Sequence, residues 1–560
     1  MTHVPKVQTI ARGAAPSKLL GGVAVVALLG AFGAPTAAVA DTASEIKALK
    51  AELKRLEHRL EEQAKTTHQV KNALNSAKSA PDHKGPPPVF VSFKNGLFVE
   101  TEDKDFNFKV GGRIQIDGGF TSAPSTGSRS NVDFRRARLE VEGKAYKNWY
   151  YKFQYDFTGS GSQGIRDAFL AYRAKLLPSE ITSEPITFQV GSQYEPFSME
   201  TVTSSKHITF IERALPGALA PDRHIGARVG LGDKHWSVQA GVFSTSFGQD
   251  KVQNPATTGH QYWDLTTRAI YAPIVEEDKL LHFGGSFMYH KPNDSTAAQD
   301  PNNLLPGNGS RDETDILKNT YIVVPSAQKM NCFDSVYASA TGVAKLWTQG
   351  GLSSSCLKYS YNYNFEAAAV YGPFSMQAEY SAAQYERDTT TALQIAATSG
   401  SGFPGGGSSL SYSGYYVQGS VFLTGESRAA SYKGYDKDWN SPGTFGDIAI
   451  KNPLGKGGWG AWEIAARYSE LNLNNGGLVD SNYAYLAAVA GNAAQKALAN
   501  TATLGGREEN LTLALNWYPV RGVRLQANWT RAMTLVAPSD KPYLNGQHPS
   551  TFLFRTQVFW

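Results

Sequence analysis

The sequence predicts an all-β fold, a sixteen-stranded antiparallel transmembrane β-barrel with an N-terminal helical coiled-coil extension. Three observations carry that expectation. Apolar and polar residues alternate over sixteen segments, the connections between them are short and long by turns, and the composition suits strands and turns. The 54 Gly, 27 Tyr, 27 Phe and 10 Trp are a turn-rich and aromatic mixture, unlike the Ala/Leu/Glu/Lys bias of helical proteins. Length alone would also allow two or three soluble domains. The mean hydropathy of −0.33, with no long apolar run beyond the N-terminus, argues against helical spans. It does not exclude a barrel, whose alternating strands average out in any window.

The first forty residues set the compartment. Lys6, Arg12 and Lys18 precede an apolar stretch from Leu19 to about Phe32 and an Ala-Val-Ala ending at Ala40, the layout of a secretory signal peptide over 1–40. Its removal leaves 51 basic against 49 acidic residues, so the mature chain is nearly neutral and bulk charge gives no argument for nucleic acid. Cys332 and Cys356 lie in a polar Gly/Ser-rich stretch of an exported chain, and a disulfide within one loop is expected. No CxxC or nearby His pair accompanies them, so neither a metal nor a cofactor is expected.

Residues 41–80 read as a periplasmic coiled coil. Ile46, Leu49, Leu53, Leu56 and Leu60 follow a 3-4-3-4 spacing flanked by Lys, Arg and Glu, which is a heptad seam. Gln63 and Thr67 occupy the next core positions before Val70 and Leu74, so the seam weakens, and a solitary amphipathic helix stays open as the alternative. Pro81, Gly85, Pro86, Pro87 and Pro88 then predict a stiff extended linker over 81–103.

From residue 104 to 560 the period changes to two. Phe108, Ile114, Ile116 and Phe120 alternate with Lys109, Arg113, Gln115 and Asp117. Trp149, Tyr151, Phe153, Tyr155 and Phe157 alternate with Tyr150, Lys152, Gln154 and Asp156. So many aromatics on one face suit a lipid-facing strand with interfacial girdles. The sixteen segments are 104–120, 132–145, 148–158, 165–175, 185–192, 224–232, 235–244, 261–272, 280–290, 357–371, 374–382, 412–424, 459–470, 507–518, 521–531 and 550–560. Connections near 146–148, 232–234, 372–373 and 519–520 are tight; those at 193–223, 291–356, 383–411 and 471–506 are long. Residues 425–458 break that parity, being long on the short side, and imply a missed hairpin or an ordered periplasmic insertion. The chain stops on a strand ending Phe559-Trp560, and a terminal aromatic resembles the signal that outer-membrane barrels present to their insertion machinery.

Alternation places Lys109, Arg113, Arg136, Arg138, Lys144, Lys152, Arg173, Arg228, Arg268, Arg467, Arg524 and Arg555 on inward faces. The inward acids are Asp117, Glu140, Glu142, Asp156, Asp167, Glu366, Glu379 and Glu463. Such an excess of positive charge in a narrow, low-dielectric pore selects anions, unless the inward charges pair across strands. Arginine's planar, permanently charged fork suits phosphate. The loop 193–223 is the expected constriction, with Ser204, Ser205, Lys206 and Arg213 as donors and Arg223 at its end; a surface loop of the same composition is the alternative.

Several blocks, in order, resemble the phosphate- and polyphosphate-selective outer-membrane porins, the porin O/P family. They are Phe134-Arg135-Arg136-Ala137-Arg138-Leu139, Glu195-Pro196-Phe197, Thr203-Ser204-Ser205 with Glu212-Arg213-Ala214, Leu423-Thr424-Gly425-Glu426-Ser427-Arg428, Trp462 to Ser469, and Asn510 to Tyr518. The resemblance implies a homotrimer of sixteen-stranded barrels, an inward-folded third loop, and an arginine ladder leading anions to a lysine-bearing constriction. Lys206 fits the basic position of that loop. Lys318, Lys329 and Lys345 stand in the fifth loop by location only.

The reading is therefore an outer-membrane porin passing small inorganic anions, with phosphate or polyphosphate preferred, seated in outer-membrane lipid. The expected pathway is Arg113, Arg136, Arg138, Ser204, Ser205, Lys206, Arg213, Arg223, Arg228, Arg268 and Arg467. A general, weakly selective porin and an envelope tether touching the cell wall through the coiled coil are the alternatives. No GxSxG elbow or HExxH helix supports an enzyme, and His207, His224, His235 and His282 read as polar groups of lumen or rim.

Overall fold

The computed structural model describes residues 87–93, 95–122, 128–159, 164–244, 262–291, 313–317, 321, 337–339, 342–344, 357–387, 409–474, 506–536 and 542–560, with scattered helical positions between 50 and 65. Two units are distinguished, Met1–Pro86 and Pro87–Trp560.

In the first unit, Lys50, Lys54, Arg55, Glu57, His58, Arg59, Glu61, Glu62 and Lys65 are helical and exposed, with His58 and Glu62 paired one turn apart at 3.9 Å. This is the charged face of the expected helix. The seam from Ile46 to Leu60 lies outside the described residues, as do the signal peptide, Cys332 and Cys356.

In the second unit, period-two alternation becomes sixteen barrel strands. They are β1 (Asn107–Ser122), β2 (Arg129–Ala145), β3 (Trp149–Asp156), β4 (Ile165–Ala174), β5 (Ile186–Tyr194), β6 (Arg223–Gly232), β7 (Trp236–Phe243) and β8 (Trp263–Val275). Then come β9 (Lys279–Lys291), β10 (Leu357–Tyr371), β11 (Phe374–Arg387), β12 (Ser409–Phe422), β13 (Ala461–Asn472), β14 (Arg507–Tyr518), β15 (Val523–Val536) and β16 (Ser550–Phe559). Each pairs antiparallel with its neighbour. β16 returns to β1 in a register from Ser550↔Ser122 to Phe559↔Arg113, so the sheet closes and leaves no barrel edge.

The outward face is apolar because it meets lipid rather than water. Phe120, Phe153, Phe188, Val190, Phe283, Phe365 and Phe554 are all exposed there, whereas Arg113, Gln115, Asp117, Gln154 and Asp156 point inward and are buried. Closure is tight at the end of β16. Trp560 exchanges two backbone hydrogen bonds of 3.1 Å with Gly112, and a Cβ on Gly112 would stand 2.7 Å from the indole.

The stretch expected to be an extended linker needs correction. Val89–Phe93 and Leu97–Thr101 form a hairpin, and its second strand pairs with β1 from Asn107 to Val110. It continues the sheet past the point where β16 stops, so backbone groups that β16 leaves open are satisfied.

Residues 423–460 settle the break in loop parity. No barrel hairpin is hidden there: the segment is an ordered insertion containing the short ladder Tyr432–Lys433 with Thr444–Phe445. It lies on the short-turn end and folds back into the lumen. Tyr435 donates to the Gly230 carbonyl at 2.7 Å, and Arg268 donates to the Pro442 carbonyl at 2.7 Å. Gly443 (φ +68°) passes so close to the wall that a Cβ would lie 2.6 Å from Ile270. Tyr432 and Phe445 are buried with Ala272, Val275, Leu280, Ala368, Val370 and Met199.

Candidate functional site: a basic cavity between two inserted segments

The long loop after β5, residues 195–222, crosses the lumen as expected of a constriction, and the alternative of a surface loop is excluded. Phe197, Met199, Phe210, Leu215 and Leu219 are buried, and a four-residue helix, Met199–Val202, is capped by the Ser198 side chain. A crossing loop exposes carbonyls that need donors inside the barrel, and the far wall supplies them. Arg524 donates to the carbonyls of Ile208 and Thr209, each at 2.7 Å. Arg555 reaches the Ile211 carbonyl at 2.6 Å, Arg467 the Glu212 carbonyl at 3.0 Å, and Asn362 the Leu219 carbonyl at 2.7 Å.

Loop and insertion together fill the side of the barrel built from β8 to β15 and leave open the side built from β1 to β4. The open space is a cavity of about 950 Å³. Its lining holds thirteen Lys and Arg side chains against seven Asp and Glu, a surplus of positive charge facing water between low-dielectric walls.

The expected pathway residues divide. Arg113, Arg136, Arg138, Ser204, Ser205, Lys206, Arg213 and Arg223 line this cavity together. Arg228, Arg268 and Arg467 do not, which corrects the expectation of one continuous ladder. Arg268 is clamped by Glu366 at 2.6 Å. Arg467 lies between Glu313 at 3.2 Å and Glu200 at 3.5 Å and stacks on Phe210 at 4.4 Å. Arg228 donates to the amide oxygens of Gln189 at 2.7 Å and Asn440 at 2.9 Å, which tethers the insertion. Arg213 lines the cavity, but its guanidinium donates to the carbonyls of Glu200, Thr201 and Thr203, so it holds the loop's own backbone.

The remaining basic groups form a chain around Lys206. Its ammonium is 3.0 Å from Glu140 and 5.6 Å from the ring centre of Phe559. Arg113 donates to the hydroxyls of Ser205 at 2.8 Å and Ser204 at 3.2 Å. A hydroxyl that accepts from Arg113 keeps its own proton to donate into the cavity. Glu140 also faces Arg113 at 3.6 Å and Lys152 at 3.8 Å, so one carboxylate serves three cations. Burial lowers the Lys206 ammonium, Glu140 opposes, and repulsion from Arg113 and Lys152 adds to burial; the amine is brought down to about 8.

Sequence alternation missed several members. Arg135 sits at a bulge where Gln115 pairs with Arg136 and Ile116 with Phe134. The extra residue departs from strict alternation and reaches Glu212 at 2.8 Å. Glu212, on the crossing loop, also binds Arg555 at 2.8 Å and faces Arg136 at 3.7 Å. Burial would raise its carboxyl, but the three guanidiniums outweigh it and hold it well below the usual range. From the insertion come Lys433, Lys437, Asp438 and Trp439, of which Lys433 and Asp438 pair at 3.1 Å. Arg173 faces the Trp439 ring at 5.4 Å. Lys318, Lys329 and Lys345 lie outside the described residues.

A family described as phosphate-selective porin O and P matches residues 108–535. Porin O of Pseudomonas aeruginosa is 27% identical over 458 residues, covering 80% of this chain and 87% of that one. An uncharacterized protein of Caulobacter vibrioides is 25% identical over 514 residues, 88% of this chain and 84% of that one. Among solved structures, the outer membrane channel DcaP of Acinetobacter baumannii aligns with a TM-score of 0.42 at 11% identity, over 82% of this chain and 99% of its own. The anion-selective porin from Comamonas acidovorans aligns at 0.41 and 9%, over 81% and 100%.

Proposed function

The chain belongs to the phosphate-selective porin O and P family, and from that premise we propose that this outer-membrane porin is a passive, homotrimeric channel preferring phosphate-like anions. The carrying observation is the cavity lining, thirteen basic against seven acidic side chains, with Lys206, Arg113, Ser204 and Ser205 at one wall. An anion entering there exchanges part of its water shell for an ammonium and hydroxyl protons. Phosphate gains more than chloride because it has several oxygens to place against them. A periplasmic coiled coil over 41–80 would join the three subunits, with a signal peptide over 1–40 removed on export and a disulfide between Cys332 and Cys356.

The pairing of Arg138 with Asp156 at 2.7 Å and Arg223 with Asp167 at 2.6 Å favours a second reading, a general porin in which wall charges cancel. Reversal potentials in planar bilayers under a chloride gradient, followed by added phosphate, separate the two. The preferred reading expects anion selectivity and block of chloride current by phosphate; selectivity without block supports the general pore, and cation selectivity defeats both. Deleting 41–80 tests the tether: unchanged conductance with a weakened envelope would assign the coil to the cell wall.

A further inference from the structure

Where the crossing loop leaves β5, its first residue enters a cluster that the solute pathway does not use. The Glu195 carboxylate is bonded to His224 Nδ1 on β6 and to the Thr266 hydroxyl on β8. His224 Nδ1 also stands 4.0 Å from Asp264 Oδ2 on β8. The other oxygen of Asp264 is 2.5 Å from His290 Nδ1 on β9. Glu195, Asp264 and Thr266 have no exposure and His290 has 1%. The Tyr262 ring lies edge-on to His224 at 6.0 Å and 5.4 Å from His290.

The bonding is incomplete in a specific way. His224 Nδ1 carries at most one proton, and it lies between two carboxylates. That proton is engaged by Glu195, which leaves the fully buried Asp264 Oδ2 with no donor among the described residues. A buried carboxylate oxygen without a donor is costly, and two carboxylates sharing one imidazole proton are more so. The three candidate ligand atoms, one each from Glu195, His224 and Asp264, all lie within 4.8 Å of one another. Ligands about 2.1 Å from a tetrahedral ion are about 3.4 Å apart, so small rotations of three side chains suffice to surround one.

We propose that Glu195, His224 and Asp264 bind a divalent first-row transition metal ion such as Zn²⁺, with His290 orienting Asp264 from behind. The donor set, one imidazole nitrogen with two carboxylates, suits such an ion, and its two positive charges match the two carboxylates. The metal replaces the proton on His224 Nδ1, which is released, and gives Asp264 Oδ2 the partner it lacks. Ligating carboxylates are themselves hydrogen-bonded in such sites, as Asp264 is by His290. The consequence is mechanical. The ion would rivet the root of the crossing loop to β6 and β8, fixing where the loop enters the lumen. Neighbouring donors in sequence do not reveal the site, because residues 195, 224 and 264 meet only through the pairing of the strands.

The test uses the full-length, untagged porin purified in detergent, stripped with EDTA and dialysed against micromolar Zn²⁺. Bound metal is counted by plasma emission after desalting, beside His224→Gln and Asp264→Asn, with heat-modifiable migration showing which barrels are folded. One zinc per chain in the native protein, falling at least fivefold in folded variants, is the expected result. With Co²⁺ in place of Zn²⁺, the native protein should develop visible d–d absorption that Zn²⁺ displaces. If neither variant folds, that cobalt spectrum decides alone. No stoichiometric zinc and no cobalt bands, or equal binding by folded variants, would overturn the proposal and leave a proton shared between carboxylates.

Discussion

Lys206 Nζ stands 3.0 Å from Glu140 Oε1, so the basic residue of the crossing loop already has a partner before any solute arrives. The pair joins the loop to β2 and sets the local charge: Glu140 is shared by Lys206, Arg113 and Lys152, and Lys152 has Glu142 at 3.1 Å besides. On the proposed reading, a phosphate oxygen at this wall would meet cations that are oriented but only partly neutralised.

Removing the ammonium should weaken solute binding without collapsing the pore. Lys206→Ala is expected to raise the phosphate concentration for half-block of chloride current about tenfold, about 1.4 kcal/mol, in line with one charge-assisted hydrogen bond. Glu140→Gln should shift selectivity the other way, toward anions, because three cations lose their shared carboxylate. Reversal potentials and block curves for both variants check the pair.

The lowered Lys206 amine gives a pH dependence with a definite sign. A pKa brought down to about 8 means that the group is charged below pH 8 and neutral above it, well before a free lysine would lose its proton. Anion over cation permeability should therefore fall between pH 7 and pH 9. In Lys206→Arg, which stays charged, the fall should vanish. A flat profile in the native protein would show that Lys206 does not control selectivity.

Glu212 holds Arg135, Arg136 and Arg555 and joins the crossing loop to both sides of the barrel seam. Glu212→Gln leaves the buried Arg136 without the carboxylate it faces among the described residues, while Arg555 keeps Asp117, and should destabilise the loop's docking by about 3–5 kcal/mol. The outcome to look for is a lower melting temperature of the folded barrel in detergent and current noise from a loosened loop.

The contact between Gly112 and Trp560 makes a steric prediction. A Cβ at Gly112 would already lie 2.7 Å from both the indole and the Arg138 carbonyl, so Gly112→Val should cost about 1–3 kcal/mol or more as overpacking. Slower conversion to the heat-modifiable folded form during refolding into detergent would register it.

Deleting residues 432–445 with a short glycine bridge removes Lys433, Lys437 and the ladder while sparing the barrel strands. Single-channel conductance should rise and phosphate block weaken. An unchanged conductance would mean that the insertion does not narrow the path.

Much of the barrel was legible in the sequence because lipid on one side and polar contents on the other enforce strict alternation. Trp149 to Phe157 reads as a strand for that reason, and so do the segments 357–371 and 507–518, whose limits coincide with β10 and β14. Arg135 was hidden because a bulge breaks the period that alternation assumes. The fates of Arg467, Arg524 and Arg555 were hidden differently. Their inward direction follows from the strands, but their acceptors are carbonyls of a loop some hundreds of residues away, and no local pattern records a carbonyl. The insertion was visible only as a length in the wrong place, since residues held by irregular side-chain contacts carry no period. Arg268 looked like a pathway residue for the same reason, because Glu366 and the Pro442 carbonyl that immobilise it are supplied from elsewhere in the chain.

The insertion between β12 and β13 has both ends pinned to neighbouring strands, where the Leu423 amide donates to the Trp462 carbonyl at 2.8 Å. A plug hung from a chain terminus could swing clear as one body, but a segment anchored at each end has no such exit. Its restriction is therefore part of the wall's geometry, set when the barrel folds. On the porin reading proposed above, this segment would act as a fixed sieve, altered afterwards only by what binds against it.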